Sequence, residues 1–280
     1  MKTPQLPLMK FHRNLAIAGI AAVCVAGSGT ATAAPILDVT YDFGTDPGKT
    51  TLADAGFATY AQAGTITDLA DSAAFDGESG SGFINQAALR TFTGMGGTNT
   101  HNFTFEMTAK LSELIPDDGG NAQRNIRFGI NMFGSSSEGT DGLTAQINTE
   151  RPTTNSGTAI LQLRTGPNGD ILSSANWAGG RLLPDDEFRY VVTGTYGAGT
   201  DLLMSFTFSN LDGTDSTSIT HTVDRTLFAG TSFGMSSRTK ADTIFEVDTF
   251  SLTVIPEPCT AALLIGGVAM MMGLRRRRSA

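Results

Sequence analysis

The tripeptide Glu246-Val247-Asp248 lies in an alternating run, TIFEVDTFSLTV, so its two carboxylates fall on one side of a strand. Two acids so placed could share general acid and general base work if their surroundings push their proton affinities apart. The plainer reading is two solvated acids on an outward face. Nucleophilic chemistry finds less support. Between residues 35 and 255 the histidines are His101 and His221, each in a strand-like segment. Two separated histidines without cysteine do not supply the three or four ligands of a zinc site. The phosphate-cradling G-x-x-x-x-G-K-[ST] pattern is absent. Oxygen ligands are more plentiful. Asp117, Asp118, Asp141, Asp170, Asp185, Asp186, Glu187, Asp212 and Asp215 fall in loop-like stretches where donors can converge on a hard cation, so a structural calcium ion is an open expectation. LDGTDS keeps only a fragment of a calcium-loop pattern, and aspartate is common in turns for backbone reasons alone. Trp177, the only tryptophan, is a candidate ligand contact in SSANWAGGRLL. Its indole either stacks on a sugar ring or closes the core as a lid.

The elements that must hold these residues read as strands. In HNFTFEMTAKLSEL, Phe103, Phe105, Met107, Ala109 and Leu111 occupy alternate positions, which predicts one buried and one wet face. The same reading covers Ile126, Phe128, Ile130 and Met132, then Ala159, Leu161 and Leu163, then Phe188, Tyr190 and Val192, then Leu202, Met204, Phe206 and Phe208. Clusters such as DDGG, GSSSEGTDG, TGPNGD, GAGTD and LDGTD separate the runs and suit tight turns. About a dozen short strands at this spacing predict a two-sheet sandwich. In the last strand Phe245 and Val247 share one parity while Phe250, Leu252 and Val254 share the other. That switch predicts a β-bulge near Thr249, or else a central strand buried on both faces.

The two ends of the chain read differently from its middle. Lys2, Lys10, His12 and Arg13 precede an apolar stretch from Leu15 to Ala26, and Ala31-Thr32-Ala33 fits a small-residue cleavage site. Residues 1–34 therefore read as a secretory signal peptide, with a helical apolar stretch too short to span a bilayer of about 30 Å comfortably. A lipoprotein reading through Cys24 fails because Val23 stands where a small residue is expected. Residues 35–255 form the expected β domain, with 12 Lys and Arg against 26 Asp and Glu. Such an acidic surface keeps an exported domain soluble and excludes nucleic acid as a partner. Both cysteines, Cys24 and Cys259, lie in the end segments, so the domain must be stabilised by burial rather than disulfides. The tail, 256–280, begins Pro256-Glu257-Pro258, where the two prolines hold the acid in an extended segment. Cys259 to Leu274 is uncharged and would be about 24 Å long as a helix, a single transmembrane span with arginines snorkelling at its end. Arg275, Arg276, Arg277 and Arg278 then read as a cytoplasmic stop. A plain tail anchor is the simpler alternative.

Two resemblances follow from these residues. AAFDGESGSGFIN at 73–85, the strand HNFTFEMTAKLSEL and the closing FEVDTFSLTV are similar to the laminin-G-like and concanavalin A-like jelly rolls of exported bacterial proteins. That resemblance implies an all-β, two-sheet jelly-roll sandwich with a carbohydrate-binding face or a calcium site. Laminarinase-type hydrolases of the same fold carry Glu-x-Asp-x-x-Glu, and Ser251 replaces the second glutamate here, so the general acid is missing. The Pro256-Glu257-Pro258 motif, the apolar span and the Arg275–Arg278 cluster resemble the PEP-CTERM sorting tail of exosortase substrates. This implies export through the general secretion machinery and signal peptidase, then an inner-membrane-anchored precursor. Cleavage near the motif by an exosortase would release the protein to the envelope surface or outside, in the setting of exopolysaccharide and biofilm. Cys259 departs from the small residue usual after the motif, which leaves the scission point open. The combined expectation is a non-enzymatic surface or matrix protein that binds exopolysaccharide. The alternative is a carbohydrate-active enzyme whose acid/base residue comes from elsewhere in the chain.

Overall fold

The computed structural model describes residues 37–43, 51–77, 84–92, 101–114, 126–149, 158–197, 199–239 and 243–255. All lie in one compact unit, Pro35–Ile255. The expected signal helix, the whole 256–280 tail with its transmembrane stretch, and Asp117 and Asp118 lie outside the described residues. Among the described residues no helix is long and apolar enough to cross a membrane.

The strands in chain order are β1 (Leu37–Asp42), β2 (Ala58–Ala61), β3 (Thr65–Asp68), β4 (Ala73–Gly77) and β5 (Ile84–Thr91). Then come β6 (Asn102–Leu114), β7 (Ile126–Gly134), β8 (Leu143–Thr149), β9 (Ala159–Thr165) and β10 (Ile171–Asn176). The last are β11 (Glu187–Tyr196), β12 (Asp201–Asn210), β13 (Ser216–Asp224), β14 (Ser232–Thr239) and β15 (Thr243–Ile255). They form two antiparallel sheets. An eight-stranded sheet runs β13-β12-β11-β6-β15-β4-β3, with β1 also pairing along β15, and a seven-stranded sheet runs β10-β9-β8-β7-β14-β5-β2. This is the expected two-sheet sandwich.

Alternation places the core. Every apolar residue named in the five runs above is buried, and the two inner faces meet through aromatic pairs such as Phe128 on Phe245, stacked at 4.4 Å between centroids. Rings packed this way add to the burial of their own surface. The expected bulge is present in β15. Val247 pairs with Ala109 and Thr249 with Thr108, so Asp248 is the extra residue, and Phe245, Val247, Phe250, Leu252 and Val254 all reach the core. Thr108 Oγ1 accepts from Thr249 N at 3.1 Å, and Asp248 O accepts from Phe43 N at 3.0 Å, so the interrupted ladder is satisfied locally. A second bulge sits in β7, where Met132 and Phe133 together oppose Phe233 of β14. Phe133 adopts a φ of 58°, which lets its ring join Met132 in the core against Phe103 and Phe233.

One expectation needs correction. A wet outer face is found on the long strands of the eight-stranded sheet, but not on β7, β8 and β9, whose intervening residues Asn131, Thr144, Gln146, Asn148 and Gln162 are also buried. Periodicity cannot distinguish a solvated polar face from a covered one.

Candidate functional site

Strand register aligns these buried polar residues into rows across the outer face of the seven-stranded sheet. The middle row is Tyr60, Ala87, Ser236, Gly129, Gln146, Gln162 and Ser174, one residue from each strand. On one side of it lies a row of Asn85, Arg238, Arg127, Asn148, Ile160 and Asn176. On the other lies Ala58, Leu89, Gly234, Asn131, Thr144, Arg164 and Ile171. None of the three rows contains Asp, Glu or His. Three arginines thus share one face of a domain that is strongly acidic elsewhere.

The amides are tied to one another. Gln162 Oε1 accepts from Gln146 Nε2 at 3.3 Å, Asn148 Nδ2 at 3.2 Å and Arg164 Nη1 at 3.0 Å. Asn148 is 0% exposed, and its Oδ1 has no hydrogen-bond partner. Two turns fold back over the face. Arg127 Nη1 donates to Pro167 O at 2.7 Å and Arg164 Nη2 to Gly169 O at 2.6 Å, so the turn after β9 is held by guanidinium groups. The loop after β7 is held by Asn131 Nδ2, which donates to Gly139 O at 3.2 Å and Asp141 O at 3.0 Å. Gly139 has a φ of 63°, and a Cβ there would stand 2.9 Å from that of Ala87, so this loop rests on the small residues of the middle row. Burial, with the charge of Arg164 added, holds the Arg238 guanidinium below its usual range. On this face Gln146, Asn148 and Gln162 are at most 1% exposed, so these amides brace the turns that cover them. Its three rows hold no carboxylate or imidazole for proton transfer.

The residues singled out from sequence lie elsewhere. Glu246, Asp248 and Ser251 are on the outer side of the eight-stranded sheet, beside the ion pair of Arg189 with Glu106 at 2.7 Å. Burial raises the Asp248 carboxyl above its ordinary range, with Asp42, Asp71 and Glu187 contributing against the hydrogen bond from Thr108. His101 precedes β6 and His221 lies in β13, three strand positions or about 14 Å across the sheet, too far apart to act on one atom.

Trp177 corrects the ligand-contact expectation. It is 4% exposed and packs edge-on against Phe188 and Phe208, with centroids 5.6 and 5.3 Å away. The indole is a lid, held where Ala178 N donates to Thr217 Oγ1 at 2.8 Å and ties the end of β10 to β13. A ring buried in this way offers no platform to a sugar.

Of the acidic loops, the fold gathers Asp185, Asp186, Glu187 and Asp212 around a shallow cleft of about 270 Å³ with Asn210 and Leu211. Each loop aspartate is used locally. Asp185 pairs with Lys110 at 2.9 Å, Asp186 accepts from Leu183 N at 2.7 Å, and Asp212 accepts from Thr214 N at 2.9 Å. Among the described residues no three His, Cys, Asp or Glu side chains are grouped to hold a metal ion. The sorting residues Pro256, Glu257, Pro258 and Arg275 to Arg278 lie outside the described residues.

The residues missed from sequence are Arg127, Gln146, Asn148, Gln162, Arg164 and Arg238. Their signal was faint. LTAQINT and TAILQLR place amides where a wet strand face more often carries Thr, Lys or Glu, and only the register brings them together.

No protein-family profile and no curated protein matches the sequence. Solved structures do match in fold. A lectin from Bauhinia forficata in complex with GalNAc superposes with a TM-score of 0.54 at 10% identity, covering 79% of this chain and 98% of that one. The winged bean acidic lectin complexed with methyl-α-D-galactose gives 0.52 at 11% identity, over 79% of this chain and 99% of the other. Lectin II from Ulex europaeus gives 0.50 at 12% identity, over 79% and 100%. The chain therefore has the legume-lectin-like, concanavalin A-like jelly-roll sandwich as its fold.

Proposed function

We propose that the chain is an exported surface or matrix protein whose sandwich binds an extracellular polysaccharide without turning it over. Its C-terminal tail is the substrate of an exosortase. The observation that carries the binding part is the fold, whose likenesses include lectins with descriptions that name galactose and GalNAc. The three rows of the outer face hold no carboxylate or imidazole for proton transfer, which fits binding without turnover.

The sorting part rests on sequence. The secretion machinery and signal peptidase remove residues 1–34, and the apolar stretch after Pro258 holds the precursor in the inner membrane. Arg275 to Arg278 stay in the cytoplasm, and an exosortase cuts near Pro256-Glu257-Pro258. The mature protein then joins the envelope surface or the exopolysaccharide of a biofilm.

Incubating the full chain with glucans, galactans and the host's own exopolysaccharide, while measuring both retention and new reducing ends, tests the binding part. Retention without new ends is the expected result. New reducing ends would make the chain a carbohydrate-active enzyme, and no retention on any polymer would remove the binding reading.

A further inference from the structure

We propose that Asn168 is a site of covalent self-modification, at which the side-chain amide is lost and water is the only co-reactant. Asn168-Gly169 is the single Asn-Gly pair in the sequence, and the structure places it in the turn between β9 and β10 with Asn168 exposed. Gly169 brings no side chain to hinder attack by its own backbone nitrogen, and among the described residues that nitrogen donates no hydrogen bond. The fold keeps glycine there, because a Cβ at Gly169 would collide with the carbonyl oxygen of Thr165. The electrophile is prepared as well. Arg127 Nη1 donates to Asn168 Oδ1 at 3.2 Å and to Pro167 O at 2.7 Å, so a guanidinium faces the oxygen on which negative charge develops.

Gly169 N gives its proton to solvent base and bonds to Asn168 Cγ, the Cγ–Nδ2 bond breaks, and the nitrogen leaves as ammonia after taking up a proton. A five-membered succinimide remains. Water opens this ring at Cγ to give aspartate, or at the main-chain carbonyl carbon to give isoaspartate. Aspartate sets a carboxylate beside the Arg127 guanidinium. Isoaspartate routes the main chain through an extra carbon and displaces Gly169 O, which accepts from Arg164 Nη2 at 2.6 Å.

The test ages the full chain at about pH 8.5, folded and in urea, and follows its peptides by mass. The folded wild type gains about one dalton first at Asn168, and an isoaspartyl methyltransferase labels the same peptide. Asn168→Gln removes both signals, because the longer side chain cannot close a five-membered ring. Arg127→Gln slows the folded protein about tenfold and leaves the rate in urea unchanged, while Arg127→Lys keeps most of the rate. Melting temperatures are read alongside, since Arg127 also holds the turn at Pro167. Asn168 intact in the folded chain but altered in urea would mean that the turn protects it, and would overturn the proposal. A first gain at another asparagine would do the same. Mass gain without methyltransferase labelling would overturn the succinimide route, and equal folded rates in wild type and Arg127→Gln would overturn the part given to the guanidinium.

Discussion

Asp141 and Asp248 differ in what their carboxylates accept. Burial would raise the Asp141 carboxyl, but hydrogen bonds from the Ser135 hydroxyl and from the backbone of Ser136 and Ser135 outweigh it and hold it below the ordinary 3.8. Its ionised form therefore favours the fold above about pH 4, and that contribution is lost as pH falls through the lowered native value. Asp141→Ala should cost about 1–2 kcal/mol at pH 7, discounted for partial exposure, with the gap in urea titrations closing as pH falls through the lowered native value. Asp248 has the opposite sign. Its native value is raised, so ionisation disfavours the fold, a cost absent at low pH and complete once pH exceeds the raised value. Asp248→Asn keeps an acceptor for Thr108 and should raise the melting temperature at pH 7 but not at pH 3. Trp177→Ala opens a hole between Phe188 and Phe208 and should cost about 3–5 kcal/mol in denaturant melts. Sequence left Trp177 with two roles because the exposure of a loop indole depends on the closure of β10 against β13, a contact between residues about 40 positions apart. The arginine and amide rows were hidden for the same reason: Arg127 and Arg238 meet only through register.

Among the elements, β15 was the most legible. Its parity switch is visible in the order of apolar residues, and an extra residue is the one local device that returns both halves to the same face. The structure makes Asp248 that residue, one position before the expected centre at Thr249. Deleting Asp248 should turn either Phe245 and Val247 or Phe250, Leu252 and Val254 outward. Loss of the cooperative melt in calorimetry checks it, whereas Asp248→Gly should keep the melt. The outer face of β7, β8 and β9 was not legible. Alternation fixes which residues point inward, but says nothing about what a turn from a neighbouring hairpin does to the other side.

For the molecule as a whole, the two-sheet sandwich followed from strand spacing, whereas the order of strands within each sheet did not. β6 bonds to β15 across more than 100 residues, a pairing that no local pattern encodes. The proposed life history makes its own prediction. Intact-mass measurement of the envelope-associated protein should find a species lacking residues 1–34 and the apolar tail, and an unprocessed C-terminus would leave only a plain anchor. A last consequence comes from the pairing of β1 with β15, in which Leu37 stands opposite Val254. The sandwich is entered and left at one corner, so it is a module on a single attachment point. Joining Leu37 to Ile255 through a short linker and opening the chain in the 135–142 loop would preserve every strand pair, and the same geometry suits the domain to insertion within a loop of another protein.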